Sequence, residues 1–241
     1  MKLLIIRHGD PDYEHDSLTE KGKREAELLA KRLVNEKIDY FYLSPLGRAQ
    51  ATAEYTLKAK NAHGETCPWL REFHAPVIDE ETGNERIPWD QLPNLWTAKE
   101  EYYSKELWHT VPLMKNGNVI AEAERVYKGI DDILERHGYR RERNIYRAVS
   151  PNRDVIALFC HFGVECVMLG HLLGISPVVL WQGLCAAPTS VTVLTTEERR
   201  KGIACFRMNA FGDPGHLYAE GEPPAFAARF CEIYDSDERH D

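Results

Sequence analysis

The apolar residues of the chain fall into runs of two kinds. Short, mostly apolar runs occur at 2–6 (KLLII), 38–43 and 154–160 (DVIALFC), the first ending at Arg7-His8-Gly9 and the last at His161-Phe162-Gly163. Short continuous runs with β-branched members and a glycine stop predict strands buried on both faces, as in a parallel sheet. Periodic stripes make the second kind. Ala26, Leu29, Ala30, Leu33 and Val34 recur at helical spacing and predict a surface helix to about residue 36. Ser17 or Thr19 can cap it, and Ser17 with Glu20 fits a capping box. Val119, Ala123, Val126, Tyr127, Ile130, Ile133 and Leu134 predict a second helix over 118–137, with Gly138 as its stop. Ser44-Pro45 reads as a helix start that places Arg48 in the first turn. A further helix follows His161 to about Gly174. Residues 189–195 and 203–208 read as a strand pair, and 139–153 as a basic, polar hairpin.

Strand ends matter because open α/β sheets bind ligands at the carboxyl edge. Two strands here end in a histidine followed closely by glycine. Adjacent parallel strands would bring His8 and His161 to one edge, with Arg7 and Arg48 nearby. A neutral imidazole attacks phosphorus to give a phosphohistidine. Guanidinium groups match phosphoryl oxygens in bidentate fashion, and helix N-termini add donors. A second histidine, if protonated, stabilises developing charge. A carboxylic acid must then protonate the leaving alcohol and activate water.

The segment 73–116 differs in character from the rest. It carries Phe73, Trp89, Trp96, Tyr102, Tyr103, Trp108 and four prolines. It reads as an insertion, helical around 94–108, packed on a single domain of 241 residues. Such aromatics either cap a pocket or pack a core.

Charge and composition narrow the partners. The formal net charge of −8 argues against non-specific nucleic-acid binding. It does not exclude a small anionic substrate, because the global field is screened within about 8–10 Å. No run of about 18 apolar residues is present to span a membrane, and the N-terminal run is too short for a signal-peptide core. A cytoplasmic protein with its six cysteines reduced is expected. Neither a CxxC pair nor a Cys/His cluster is present, so no metal and no cofactor are expected.

The segments L-x-x-R-H-G, Leu18-Thr19-x-x-Gly22, Ser44-Pro45-Leu46-x-Arg48-Ala49-x-x-Thr52-Ala53, the late strand ending at His161, the strand Ser190-Val191-Thr192-Val193 and His216-Leu217 occur in that order. Together they resemble the histidine phosphatase superfamily, in its phosphoglycerate mutase-like branch, over residues 1–72 and 117–218. The resemblance implies a three-layer α/β/α fold with a mostly parallel central sheet and an inserted cap. It implies His8 as nucleophile, Arg7, Arg48 and His161 as the phosphate pocket, and Glu72 of Leu70-Arg71-Glu72 as the acid and base. Phe162 after His161 separates the chain from the acid-phosphatase branch, which has His-Asp there. Two departures stand out. Glu14 occupies the position where family members often have asparagine, and Phe73-His74-Ala75-Pro76 replaces the usual Gly-Trp-Glu-Gly run after L-x-E. Asp79, Glu80 and Glu81 are therefore alternative acids. The activity implied is metal-independent hydrolysis of a small phosphate ester. The alternatives are mutase-type phosphoryl transfer and phosphate binding without catalysis. A metal-dependent hydrolase is disfavoured because carboxylates do not cluster near either histidine in the sequence. The aromatic insertion suits a lid or a homodimer contact.

Overall fold

In the computed structural model, which describes residues 1–79, 83–227, 229 and 231–237, the KLLII run forms β1 (Lys2–Arg7) at the centre of an eight-stranded sheet. On one side β1 pairs in parallel with β10 (Val155–Cys160), β10 with β4 (Tyr40–Leu43), and β4 with the short β5 (Glu65–Thr66). On the other side the sheet turns antiparallel through β11 (Val191–Arg200), β12 (Ile203–Asp213), β9 (Ile145–Ala148) and β8 (Tyr139–Glu142). The expected hairpin at 139–153 is the β8–β9 pair, and the expected strand pair at 189–208 is β11–β12, both longer or shorter by a few residues.

Alternation along β1 divides the core in two. Leu3 and Ile5 join one buried cluster, and Leu4 and Ile6 join the other, as the two-residue period of a strand requires. The first cluster takes in α5 (Val119–Arg136), α6 (Phe162–Leu173) and α7 (Pro177–Gly183). The second takes in α1 (Glu20–Leu33) and α2 (Gly47–Lys60). This gives the three layers. Helix α6 is buried almost all round, so its sequence FGVECVMLGHLL shows no polar face. A short α8 (Gly215–Tyr218) closes the fold beside α1.

Two helix starts differ from the sequence expectation. Thr19 caps α1 by accepting from the Gly22 N–H at 3.0 Å, while Ser17 lies in a small hairpin of β2 (Pro11–Asp12) and β3 (Ser17–Leu18). Helix α2 begins at Gly47, two residues beyond Pro45, and Ser44 does not cap it. The Ser44 hydroxyl is engaged elsewhere, by His161.

The 73–116 segment is not a continuous helix over 94–108. It forms a hairpin of β6 (Val77–Ile78) and β7 (Glu85–Arg86), a single turn α3 (Pro93–Trp96), tight turns at 100–103 and 108–110, and α4 (Pro112–Asn116). Pro93 and Pro112 each open a new turn, since proline lacks the donor a continuing helix needs. Tyr102, Trp108 and Met114 are buried in the α5–α6–α7 cluster. Trp108 stands edge-on to Trp181 at 5.7 Å, so most of this segment's aromatics pack the core.

Candidate active site

Arg7 of β1 lies opposite Cys160 of β10, so the residues that follow each strand emerge side by side. The His8 and His161 rings are 5.0 Å apart between centroids, and both are buried. The Nδ1 of His8 lies 2.7 Å from the carbonyl of Gly9. A carbonyl only accepts, so Nδ1 carries the hydrogen and Nε2 presents its lone pair. The turn that holds His8 packs tightly on the start of α1. A side chain at Gly9 would place its Cβ 2.7 Å from the Gly22 carbonyl oxygen. The glycine of R-H-G and that of L-T-x-x-G are thus two sides of one backbone contact. The Gly9 N–H is held by the Thr52 hydroxyl at 2.9 Å, which ties this turn to α2.

Burial is the main cause that holds both imidazoles neutral. For His8 burial is reinforced by Arg7 and Arg48 and only partly opposed by the Gly9 carbonyl, so its basicity falls well below the ordinary histidine range. For His161 burial is followed by His8, Arg48 and Arg7 in the same direction. The condition set for the second histidine, that it be protonated, is therefore not met by His161 in this structure. Three cationic or polar neighbours and no anion leave no reason for it to hold a second proton.

The two arginines are fixed by different partners. Arg7 donates through Nη1 to the carbonyls of Ala186 at 2.6 Å and Ala227 at 3.1 Å. Arg48 donates through Nη1 to Asp16 Oδ1 at 2.7 Å, and the other oxygen of Asp16 accepts from the Gly47 N–H at 2.6 Å. Asp16 sits at φ +44°, a left-handed conformation that aspartate tolerates better than most residues. His161 Nε2 meets the Ser44 hydroxyl at 2.7 Å. After these contacts, Arg7 Nε, Arg48 Nε and His161 Nδ1 are all buried with no hydrogen-bond partner. Buried polar atoms are nearly always satisfied, so three such nitrogens on the residues around His8 are an exception to the rest of the fold that calls for an explanation.

Glu72 is brought to the same edge. It accepts from the N–H groups of Phe73 at 2.7 Å, Val164 at 2.9 Å and Gly163 at 3.3 Å, the last two at the N-terminus of α6. Burial raises its pKa, against the pull of those N–H groups and of Arg7. Gly163 is required by this approach, because a Cβ there would lie 2.7 Å from Glu72 Oε1 and 2.8 Å from the Trp89 ring. Trp89, Phe73 and Trp181 form the apolar wall beside Glu72, with centroid separations of 5.1 to 6.2 Å.

Of the alternative acids, Asp79 lies at the β6–β7 hairpin, ion-paired with Arg86 at 3.4 Å, and Glu80 and Glu81 lie outside the described residues. Glu14 is exposed at the tip of the β2–β3 hairpin. Among the described residues no group of three or more His, Cys, Asp or Glu side chains is placed to hold a metal ion.

Several side chains at this edge were not named as site residues from the sequence, Ser44 among them, which was read only as a helix start and part of a motif. Asp16 and Ser44 hold Arg48 and His161. Glu25, fully buried on α1, accepts from Asp10 N–H at 2.9 Å and Ala225 N–H at 3.0 Å, and burial pushes its carboxyl up to about 6. It binds the segment around 225–227 to the loop after His8, and Ala227 in that segment holds Arg7. The signal for Glu25 was a charge placed beside Ala26 and Leu29 on the apolar stripe. Glu165, the one acidic residue in the apolar α6, carried a similar signal.

At the carboxyl edge of the three-layer α/β sheet the fold thus gathers a neutral buried His8, a second buried histidine and two arginines with unpartnered nitrogens. The profile of the histidine phosphatase superfamily (branch 1) matches residues 3–209, and the chain belongs to that family. The chain is 27% identical over 229 residues to a protein from Hydrogenobacter thermophilus named "Phosphoserine phosphatase 1", covering 91% of this chain and 97% of the relative. It is 31% identical over 121 residues to "Probable phosphoglycerate mutase GpmB" of Photorhabdus laumondii, a match that spans 46% of this chain and only 52% of that relative's length. In fold it is similar to a mycobacterial glucosyl-3-phosphoglycerate phosphatase, with a TM-score of 0.60 at 18% identity over 88% of this chain and 98% of the other. A phosphoserine phosphatase variant from Entamoeba histolytica, solved with phosphoserine, also gives 0.60 at 18% identity, over 90% and 98% of the two chains. Among the described residues no helix is long and apolar enough to cross a membrane.

Proposed function

We propose that the chain is a metal-independent phosphomonoester hydrolase that acts on small phosphorylated metabolites through a phosphohistidine on His8. The observation that carries the reading is the set of unpartnered buried nitrogens on Arg7, Arg48 and His161 beside a neutral His8. In the first half-reaction Nε2 of His8 attacks phosphorus and the bond to the ester oxygen breaks. Glu72, whose burial favours its protonated form, gives that oxygen its proton. Arg7, Arg48 and the Nδ1 edge of His161 bind the equatorial oxygens, where charge is spread in the transition state. The Gly9 carbonyl stays bonded to Nδ1–H of His8 and stabilises the ring as it gains charge. In the second half-reaction the Glu72 carboxylate takes a proton from water, the water oxygen bonds to phosphorus, and the P–N bond breaks to release inorganic phosphate.

The names of the full-length and structural relatives, phosphoserine phosphatase and glucosyl-3-phosphoglycerate phosphatase, support a hydrolase on small metabolites. The segment 73–116 supplies Trp89 to the pocket wall, which supports its reading as a cap on one domain. Its exposed Leu92, Leu95, Tyr103 and Leu107 suit a lid or a homodimer contact, and sedimentation equilibrium separates the two.

Hydrolysis of p-nitrophenyl phosphate in chelator by the wild type and His8→Ala tests the mechanism, together with trapping of the phosphoenzyme. Activity in chelator that is lost with the covalent adduct in His8→Ala is the expected result. A His8→Ala protein with full activity refutes it. Similarity to GpmB favours a second reading, phosphoglycerate mutase-type transfer. Product analysis with 3-phosphoglycerate distinguishes the readings, since a hydrolase releases inorganic phosphate and a mutase returns an isomer. A phosphate-binding protein without turnover would bind phosphate analogues and form no adduct.

A further inference from the structure

Directly behind the phosphoryl pocket lies an ionisable group that the mechanism above does not use. Glu165 is only 1% exposed, on the first turn of α6, in a helix whose other buried residues carry no charge. Its place relative to the pocket follows from the sheet register. Arg7 and Ile5 project from the same face of β1, and Ile5 lies opposite Thr192 of β11. Thr192, like Leu194, therefore faces the α6 layer, on the same side as Arg7. Thr192 donates its hydroxyl hydrogen to the Glu165 carboxylate while its oxygen accepts from the Gly212 N–H at 2.9 Å. That leaves Glu165 Oε1 buried with no partner, as Arg7 Nε is.

Arg7 itself is hydrogen-bonded only to carbonyls among the contacts described for it, Ala186 and Ala227. Its positive charge favours the ionised form of Glu165, less than the Thr192 hydroxyl does. The other ionisable groups acting on or beside Glu165 are Glu72, on the segment before the insertion, and the thiols of Cys160 on β10 and Cys166 on its own helix. Burial holds both thiols protonated, and burial also pushes the Glu165 carboxyl up to about 7. His8 and His161 remain neutral over the same range.

We propose that Glu165 is the buried counter-charge of Arg7 and that it takes up one proton from solvent when a phosphoryl dianion enters the pocket. The inference rests on the reading of this pocket as a phosphoryl site. Before an anion binds, a carboxylate at Glu165 offsets part of the positive charge of Arg7. A bound dianion neutralises that positive charge and repels the carboxylate, and an O–H bond at Glu165 then removes the repulsion. By linkage, anion affinity must fall as pH rises through the range where the free protein gives up this proton. Glu165 acts through Arg7 and is a positioning residue.

The test is tungstate binding between pH 6.5 and 8.5, measured by competition against p-nitrophenyl phosphate and by calorimetry in two buffers of different ionisation enthalpy. Tungstate remains a dianion over this range, so it contributes no titration of its own. For the wild type the dissociation constant should rise by up to about tenfold per pH unit above neutrality, with net proton uptake on binding. Glu72→Gln should keep that rise. Glu165→Gln should lose both the rise and the proton uptake, and Glu165→Met, which fills the site without a polar atom, should behave the same way. A Glu165→Gln protein with the wild-type slope and proton uptake overturns the inference. So does a Glu72→Gln protein that loses them, since the proton then belongs to Glu72. A wild type that binds tungstate outside the pocket, without competing with substrate, overturns the phosphoryl-site reading, and the inference falls with it.

Discussion

Replacing Glu165 with glutamine removes an ionisable group from the core and keeps its shape, and its effect on stability can be worked from the fold. The carboxyl moves from 4.5 in the unfolded chain to about 7 in the folded one, with burial as the main cause and the Thr192 hydroxyl and Arg7 opposing it. Between these two values the folded protein keeps a proton that the unfolded chain has lost, so stability falls as pH rises. Below 4.5 both states are protonated and the effect vanishes. Above 7 the full cost is present, about 3 kcal/mol at roughly 1.4 kcal/mol per pH unit. Of this, about 2.5 kcal/mol develops between pH 5 and pH 8. Other titrating groups are common to the wild type and Glu165→Gln, so they cancel when the two are compared at each pH. The variant should gain about 2.5 kcal/mol on the wild type between pH 5 and pH 8, or about 5–10 °C in relative Tm for a chain of this size. Urea unfolding or scanning calorimetry of both proteins at the two pH values measures it. A stability difference that is the same at pH 5 and pH 8 refutes the reasoning, because a group that does not titrate in this window cannot exchange a proton with a bound anion there.

Arg48→Ala should lower kcat/KM by about 10²–10³, as expected for losing one donor to transition-state charge. Asp16→Asn, which keeps an acceptor for the Gly47 N–H but loses the charge that holds Arg48, should cost less and act mainly on KM; steady-state kinetics of the two variants rank them, and an Asp16→Asn loss equal to that of Arg48→Ala counts against the milder role. Glu72→Gln should lower kcat/KM, which reports the phosphorylation half-reaction, by about 10²–10⁴ for alkyl phosphates while sparing it for p-nitrophenyl phosphate, whose leaving group needs little protonation, and should slow dephosphorylation for both; an equal loss of kcat/KM for both would move the acid elsewhere. Gly163→Ala forces Glu72 or Trp89 to shift from a 2.7–2.8 Å approach, so it should reduce turnover and cost about 1–3 kcal/mol in stability. A Gly163→Ala protein with unchanged kcat and unfolding midpoint shows that the contact is not needed.

The central strands and most helices could be read from the sequence because burial writes itself into local patterns. The LLII and VIALFC runs are apolar at every position since both sheet faces are covered, and the α1 and α5 stripes repeat at 3.6 residues. His8 and His161 were legible as a pair for the same reason: each terminates a buried run, and parallel neighbours end at one edge. What stayed hidden are contacts between distant segments. Ser44-Pro45 carries a local helix-start signal, yet the Ser44 hydroxyl is used by His161, 117 residues away, and α2 starts later. The neutral state of His161 depends on burial and on three neighbours that no local window contains. The aromatics of 73–116 have no period, so their destination in the core could not be separated from a lid. Glu25 and Glu165 were visible as charges inside apolar faces, which is where a sequence violates its own pattern. Such violations persist in a fold when something compensates them. For Glu25 the compensation is two backbone N–H groups, one from the loop after His8 and one from the segment that reaches Arg7. For Glu165 only one oxygen is compensated, by Thr192, and the other is left unpartnered in the field of Arg7. The two charges that break the helix patterns thus converge, one through the backbone and one through the field, on the same guanidinium behind His8.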